Sequence, residues 1–255
     1  MSNSGHVAAN NLFFSFRTPN HETVVFKDFS MEIKPKEILA LVGPSGCGKS
    51  TFLNLIAGFL HPDQGTLLID GEPVNFPGPD RGVVFQNQNL FPWKTVQGNV
   101  EFGLRMRGYQ ESERERIAKE AITDVGLSGF ENSYPIQLSG GMAQRVGFAR
   151  LIVNNPRVML LDEPFGSLDA VTRSQMRNFF LEIWQRHKGT VLFITHDLDE
   201  ALLFGDRVVL LSRLPANIVE EIKIEAPRPS QEELLEREDL RKARKTLSNL
   251  LYGSC

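Results

Sequence analysis

The feature that most constrains the fold of this chain is a glycine-rich segment, Gly43-Pro44-Ser45-Gly46-Cys47-Gly48-Lys49-Ser50-Thr51. Two glycines with four residues between them, followed by lysine and a hydroxyl residue, are typical of a phosphate-binding loop. The apolar run over 37–42 predicts a buried strand before the loop, and the run over 52–57, ended by Gly58, predicts a helix after it. A glycine-rich turn without a ligand does not account for this combination. The segment is therefore predicted to bind the phosphates of a nucleotide.

The chemistry of the loop assigns tasks to its side chains. Backbone N–H groups at the glycines and at the helix N-terminus would face the phosphate oxygens. The ammonium of Lys49 is expected to reach the β- and γ-phosphates, and the hydroxyl of Ser50 is expected to bind Mg²⁺. The loop alone does not indicate which class of nucleotide-using protein this is.

Length and composition set the frame for the rest of the chain. A chain of 255 residues with 41% hydrophobic residues can build one α/β domain with a small additional lobe. A net charge of −3 argues against nucleic acid as the main partner. No apolar run approaches the roughly 20 residues that cross a bilayer, and residues 1–6 do not have the form of a secretion signal. The two cysteines, Cys47 and Cys255, do not suggest a disulfide, which fits a reducing cytosol.

Three further apolar runs end in polar side chains. The strand predicted over 81–85 is followed by Gln86, the strand over 157–161 by Asp162 and Glu163, and the strand over 190–195 by His196. Open α/β sheets bind ligands at the carboxyl ends of their strands. Asp162 would then hold Mg²⁺, Glu163 would orient and polarise an attacking water, and His196 would donate to the γ-phosphate. The alternatives are solvated acids after a core strand and a histidine that only caps the structure.

A helical insert is predicted over about 95–155, within an otherwise α/β chain. Two helices are expected between Thr95 and Gly126, and a third helix follows Leu138-Ser139-Gly140-Gly141-Met142. A serine and a glycine pair that open a helix can form a second anion-binding N-terminus. Ordinary capping of the helix by Ser139 is the alternative.

Two aromatic segments have open interpretations. In the strand predicted over 7–16, Leu12, Phe14 and Phe16 are expected on one face, and Phe16 either joins the core or stacks on an adenine ring. The loop over 87–93 carries Leu90, Phe91 and Trp93 around Pro92. These side chains either tuck under the domain or form a docking patch for another protein, and we favour docking because a loop rarely buries three large apolar groups.

The chain is predicted to close with two strands and a helical tail. The strands are expected over 207–212 and near 217–225, and Pro227-Arg228-Pro229 is expected to be a linker. Ser230 and Glu233 have the spacing of a capping box for one final helix. Its apolar stripe would comprise Leu240, Ala243, Leu247 and Leu250. The predicted division is an ATPase domain over 1–225 and a tail over 226–255.

Taken together, the order of these motifs resembles that of the ATP-binding-cassette (ABC) ATPases. The resemblance extends from about Val7 to Ser212, and the Ser-Gly-Gly segment separates this family from other phosphate-loop proteins. More narrowly, residues 82–86, Leu90-Phe91-Pro92-Trp93, the segment from Asp162 to Asp169 and the Pro-Arg-Pro linker are similar to those of nitrate, sulfonate and taurine importer ATPases. Met142 stands where the family usually has glutamine.

The resemblance implies a fold and roles for single residues. It implies a P-loop NTPase fold with a RecA-like core sheet, an N-terminal antiparallel β-subdomain and an inserted α-helical subdomain. Phe16 would stack on adenine, residues 43–51 would hold the phosphates, and Gln86 would contact Mg²⁺ and the attacking water. Glu163 would be the catalytic base and His196 the γ-phosphate sensor. Ser139, Gly140 and Gly141 would contact ATP on an opposite subunit, with Asp169 coupling the two sites.

The resemblance also implies partners. It implies a homodimer of ATPase subunits that binds ATP and Mg²⁺ at the cytoplasmic face of the inner membrane. The dimer would drive import of a small anionic solute through a separate permease that docks near Gln86–Trp93, with an extracytoplasmic solute-binding protein in the same system. The alternatives are a lipid-trafficking cassette, a cassette that acts on DNA or ribosomes, and a phosphate-loop kinase for a small molecule.

Overall fold

The computed structural model describes residues 5–87, 89–225, 228 and 231–253. The chain forms two compact units. The first comprises residues 1–78 and 189–255, and the second comprises residues 79–188. None of the helices in the described ranges has both the length and the apolar character needed to cross a membrane.

The elements follow one another in this order. The strands are β1 (Val7–Thr18), β2 (His21–Ile33), β3 (Ile38–Val42), β4 (Gln64–Ile69), β5 (Glu72–Pro73), β6 (Arg81–Val84), β7 (Val158–Asp162), β8 (Thr190–Ile194), β9 (Arg207–Leu211) and β10 (Ile218–Lys223). The α-helices are α1 (Lys49–Ala57), α2 (Val96–Val100), α3 (Phe102–Met106), α4 (Glu111–Asp124), α5 (Gly140–Ile152), α6 (Ala170–His187), α7 (Leu198–Phe204), α8 (Gln231–Glu236) and α9 (Glu238–Tyr252). A 3₁₀-helix covers Pro135–Gln137.

The first unit contains an antiparallel and a largely parallel set of strands. The antiparallel sheet has the order β2-β1-β4-β5, and the second set has the order β10-β9-β3-β8. Strand β3 pairs in parallel with β8 and β9, while β10 runs antiparallel to β9. Every residue of β3 and β8 is buried, as expected of continuous apolar strands in a parallel sheet.

Aromatic packing fixes α1 against β2 in the first unit. The Phe52 ring of α1 lies 5.4 Å from the Phe29 ring and 6.1 Å from the Phe26 ring, and all three side chains are buried. The helix that follows the glycine-rich loop is therefore held at a defined place on the antiparallel sheet.

The second unit contains β6 and β7, which pair in parallel, and helices α2 to α6. Here too an aromatic cluster joins the elements that carry the predicted motifs. The Phe148 ring of α5 lies 5.9 Å from Phe180 of α6 and 6.3 Å from Phe165, which follows β7. This cluster fixes the segment after β7 between α5 and α6.

Most predicted elements are confirmed within one or two residues, and three details differ. Three helices, α2, α3 and α4, lie between Thr95 and Gly126 instead of two, because the chain turns at Glu101 and again at Gly108. The single final helix is wrong, since α8 and α9 are separated at Arg237. Ser230 of the predicted capping box, both linker prolines and Cys255 lie outside the described residues.

The third detail concerns apolar side chains predicted to share one face. Leu12 and Phe14 are buried, but Phe16 is 46% exposed because register shifts in β1 change which side its residues face. In α9, Leu240, Ala243 and Leu247 are buried, whereas Leu250 is 39% exposed near the end of the helix. Phe16 is thus not a core residue, which leaves its stacking role open.

Candidate functional site

The glycine-rich loop lies between β3 and the N-terminus of α1. Gly43, Pro44, Ser45, Gly46, Cys47 and Gly48 form the turn, and Lys49, Ser50 and Thr51 form the first turn of α1. Gly48 has a φ of 105°, and a Cβ at this position would lie 2.8 Å from Val25 of β2. The N-cap residue of α1 is Gly48, which has no side chain with which to cap the helix, and the N-terminus of a helix attracts an anion.

The ammonium of Lys49 points back into this loop. It is buried and donates hydrogen bonds to the carbonyl oxygens of Gly43 at 2.8 Å and of Pro44 at 3.0 Å. The buried Cys47 sulfur lies 3.8 Å away. A cation is thereby held in the concavity of the loop by acceptors that are neutral, which phosphate oxygens can replace.

His196 lies at the same sheet edge as this loop. Strands β3 and β8 pair with Leu41 opposite Ile194. Gly43 and His196 each follow two residues after this pair, so both lie beyond the carboxyl ends of neighbouring parallel strands. His196 is exposed, as a side chain that contacts a ligand in this place must be.

In the second unit, Gln86 and Glu163 converge. Strands β6 and β7 pair with Val84 opposite Leu161, and the two side chains follow two residues after this pair. A Cβ built at Gly166 would lie 3.3 Å from the Gln86 Nε2 atom and 3.6 Å from the Glu163 Oε2 atom. The amide and the carboxylate therefore approach the same point, next to a residue that lacks a side chain.

The backbone around Glu163 is unusual. Asp162 ends β7, and Glu163 has a φ of 45°, in the left-handed region that bulky residues rarely adopt. Strained backbone of this kind is concentrated at functional sites.

The Ser-Gly-Gly segment and the segment around Asp169 lie next to each other within the second unit. Ser139 is exposed and caps α5 by accepting a hydrogen bond from Met142 N at 3.3 Å. A Cβ at Gly140 would lie 3.6 Å from Leu168, and a Cβ at Gly141 only 2.7 Å from the Thr172 methyl group. The first distance is an ordinary contact, whereas the second is too short for a side chain, so glycine at position 141 allows the N-terminus of α5 to approach the start of α6.

Asp169 caps α6 in turn. Its carboxylate accepts hydrogen bonds from Val171 N at 3.1 Å and Thr172 N at 3.0 Å. Hydrogen bonds from the side chain and the backbone of Thr172 lower the pKa of Asp169, so this exposed carboxylate stays charged at neutral pH. Two helix N-termini, each with its cap, thus form one surface.

Asn99 and Glu200 are structural residues that the sequence analysis missed. Asn99 is fully buried in α2, accepts from Phe91 N, and donates to the carbonyl oxygens of Phe91, Lys94 and Thr95. It fixes the loop that precedes α2.

Glu200 is buried and accepts a hydrogen bond from the Thr195 hydroxyl at 2.6 Å. Its position three residues after Asp197 has the spacing of a capping box, which could have drawn attention to it.

Comparison with known proteins identifies the family. The model of the ABC transporter family matches residues 26–166. An uncharacterized ABC transporter ATP-binding protein of Methanocaldococcus jannaschii is 47% identical over 232 residues, which are 91% of this chain and 87% of that protein. The chain belongs to the ABC transporter ATPases.

A second curated relative and a solved structure are also similar to this ABC ATPase. A taurine import ATP-binding protein of Pseudomonas putida is 47% identical over 211 residues, 83% of this chain and 80% of the relative. The dimeric structure of the cassette MJ0796 in a post-hydrolysis state, bound to ADP and Pi, aligns with a TM-score of 0.75. The two chains are 31% identical, and their alignment covers 86% of this chain and 99% of the MJ0796 chain. The expected P-loop ABC ATPase fold is confirmed, and the small-molecule kinase is excluded.

The contact between Gly141 and Thr172 leads to a stability prediction. Gly141→Ala would force α5 and α6 apart and should destabilise the ABC ATPase by about 1–3 kcal/mol, as overpacking does. Gly147→Ala is the matched control on the same helix, since its Cβ would meet nothing within 4 Å. The control should be neutral or more stable by up to about 1 kcal/mol.

Thr172→Ser removes the clashing methyl group and should restore most of the stability of Gly141→Ala. Urea unfolding of the three variants measures these differences. Equal stability of Gly141→Ala and Gly147→Ala would contradict the proposed close approach of the two helices.

Proposed function

We propose that this ABC ATPase is the ATP-binding subunit of an importer for a small anionic solute of the taurine, sulfonate or nitrate type. The relatives that are named taurine import ATP-binding proteins, at 47% identity over about four fifths of both chains, support the solute class. The observation on which the mechanism rests is the convergence of the Gln86 and Glu163 side chains. The exposed side chain of Trp93 follows Gln86 in the same loop. On this proposal, the chain works at the cytoplasmic face of the cell membrane beside a permease and an extracytoplasmic solute-binding protein.

The glycine-rich loop binds the phosphates of ATP. Backbone N–H groups between Gly43 and Thr51 donate hydrogen bonds to the phosphate oxygens, and the Lys49 ammonium exchanges its two carbonyl acceptors for charged ones. The exposed ring of Phe16 stacks on the adenine, and His196 donates to the γ-phosphate.

The residues present also fit Mg²⁺, which is bound in phosphate-transfer sites by few protein oxygens together with phosphates and water. The Ser50 hydroxyl, the Asp162 carboxylate and the Gln86 amide would hold it, and the ion would neutralise charge on the phosphates. Glu163 accepts the proton of the attacking water, and the Gln86 amide next to it orients that water.

The catalytic role of Glu163 predicts a specific kinetic defect. Glu163→Gln keeps the shape of the side chain but accepts a proton poorly, so hydrolysis should fall by about 10²–10⁴-fold. Binding of ATP should be retained, because the phosphate-binding loop is untouched. ATPase assays and calorimetry on the purified protein measure both quantities.

Glu182→Gln, which changes an exposed carboxylate of α6, is the control and should hydrolyse ATP like the unchanged protein. Hydrolysis by Glu163→Gln near that of the control would reject Glu163 as the base.

The Ser-Gly-Gly surface is proposed to complete the site of a second copy. One chain with one phosphate-binding loop has no need of a second anion-binding helix start for its own nucleotide. Ser139, Gly140 and Gly141 would contact the γ-phosphate bound by the partner, and Asp169, which caps the adjacent helix, would couple the two sites. The cassette MJ0796, to which this chain is similar, is dimeric and bound to ADP and Pi, which supports a pair of chains as the active unit.

Mixing two inactive variants tests completion between copies. In a heterodimer of Ser139→Arg and Lys49→Ala chains, both changes fall on one composite site and leave the other site intact. The mixture should therefore hydrolyse ATP, whereas either variant alone should not. If heterodimers form, as shown by pulldown through two different tags, and no activity appears, completion by the partner with independent sites is wrong.

The loop that contains Phe91 and Trp93 is proposed to dock the permease. Trp93 is 72% exposed, whereas Phe91 is half-buried and packs on Phe102 with ring centres 4.6 Å apart. The Arg150 guanidinium lies 5.6 Å from the Phe91 ring. Because Asn99 fixes the backbone at Phe91, Lys94 and Thr95, the loop presents Trp93 on a defined surface. Phe91 supports this surface, and Trp93 is the residue available to a partner.

The supporting role of Phe91 and the docking role of Trp93 predict different effects of substitution. Trp93→Ala should leave the melting temperature and the basal ATPase rate unchanged and should abolish binding to permease subunits encoded beside this gene. Phe91→Ala should destabilise the protein by about 1–3 kcal/mol. Thermal unfolding, ATPase assays and copurification with the permease measure these effects. Normal assembly of Trp93→Ala would reject the docking role.

A further inference from the structure

The backbone on both sides of His196 is tied to helix α7. Asp197 N donates to the Thr195 hydroxyl oxygen at 3.0 Å, and this hydroxyl donates to the buried carboxylate of Glu200 at 2.6 Å. The Asp197 carboxylate accepts from Asp199 N at 2.9 Å and from Glu200 N at 3.3 Å. A displacement of the first turn of α7 would therefore move the backbone at His196 as well.

Two arginines of the C-terminal segment, which comprises the described residues 228 and 231–253, pair with carboxylates in the first turn of α7 and just after its end. At the first turn, Arg244 of α9 binds the Asp199 carboxylate through Nε at 2.5 Å and Nη2 at 3.4 Å. Two residues after the end of α7, Asp206 accepts from Arg228 Nη1 at 2.6 Å and Nη2 at 2.8 Å. Both are two-pronged arginine–carboxylate pairs, which fix orientation as well as distance.

The space between these two pairs is filled by apolar packing. Leu240, Ala243 and Leu247 of α9 belong to the same buried cluster as Ala201 and Leu202 of α7. Asp206 also accepts from Ile38 N at 2.8 Å, at the start of the strand that leads to the glycine-rich loop. The C-terminal segment thus joins α7 to the sheet that carries the loop and His196.

We propose that Arg244 and Arg228 are positioning residues for ATP hydrolysis, which act by clamping α7 and thereby holding His196 where it meets the γ-phosphate. The inference rests on the proposed role of His196. It assigns the C-terminal segment a task in the reaction, although that segment does not contain any of the predicted phosphate-binding residues.

The two pairs differ in exposure, which separates their effects on stability and on catalysis. The Arg244 and Asp199 side chains are 55% and 37% exposed, and such pairs add little to the stability of a fold. The Arg228 and Asp206 side chains are only 15% and 28% exposed. Arg244→Ala therefore tests positioning in a protein that remains folded, even where loss of Arg228 lowers stability.

The experiment compares steady-state ATP hydrolysis and melting temperature of Arg244→Ala and of the double variant Arg228→Ala/Arg244→Ala. The control is Arg241→Ala, an exposed arginine on the same helix that has no ion pair to α7 within the described part of the chain. We expect the double variant to lower kcat by about three- to tenfold at unchanged KM for ATP, and Arg244→Ala to give part of this loss. The swapped pair Asp199→Arg/Arg244→Asp should recover the part that is due to Arg244.

A His196→Ala background shows whether the arginines act through His196. In that background, the arginine substitutions should cause no additional loss of kcat. An additional loss, a wild-type kcat of the double variant, or a loss that the swapped pair fails to recover would overturn the inference. Normal hydrolysis by His196→Ala would instead contradict the proposed function of His196, on which the inference depends, so the two failures are distinguishable.

Discussion

Parallel pairing of strands is the constraint on which both halves of this molecule depend. Parallel strands bring their carboxyl ends to one edge, and the register decides which following residues become neighbours. In the first unit, the register of Leu41 with Ile194 brings the start of the glycine-rich loop beside His196. In the second unit, the register of Val84 with Leu161 does the same for Gln86 and Glu163. A shift of one residue in either pair would separate groups that have to act together.

Several polar groups in this ABC ATPase serve structure and function with the same atoms. Ser139 and Asp169 cap helices, and Lys49 is satisfied by carbonyl oxygens of its own loop. Each group therefore has partners without a nucleotide, and for the buried Lys49 ammonium this avoids the free energy cost of a buried, unpaired donor. The capping and the ligand-binding interpretations of Ser139 do not exclude each other, since an exposed cap can still offer its hydroxyl group to a second molecule.

The sequence predicted most of the fold because its strands are continuous apolar runs with clear ends. Strands β7 and β8 were predicted within one residue of their observed ranges, and the strand–loop–helix unit around Lys49 follows from spacing alone. Phe16 could not be assigned by alternation, because irregular pairing in β1 changes which face a residue occupies. The break at Arg237 lacks a proline or glycine to mark it. The approach of Gly141 to Thr172 depends on tertiary packing, and no local pattern encodes it.

The left-handed backbone at Glu163 has a consequence for how this position can vary. Side chains branched at Cβ, such as valine, isoleucine and threonine, fit a positive φ poorly, whereas glycine, asparagine and aspartate adopt it readily. The backbone and the chemistry therefore favour different residues at this position. Glycine, asparagine and aspartate relax the turn, but none of them carries a carboxylate on a side chain as long as that of glutamate. Among homologous sequences that have lost hydrolysis but kept the fold, glycine and asparagine should replace this glutamate more often than branched residues do. The substitutions found at this one position would then record whether a lineage has been released from catalysis while its turn remained under selection.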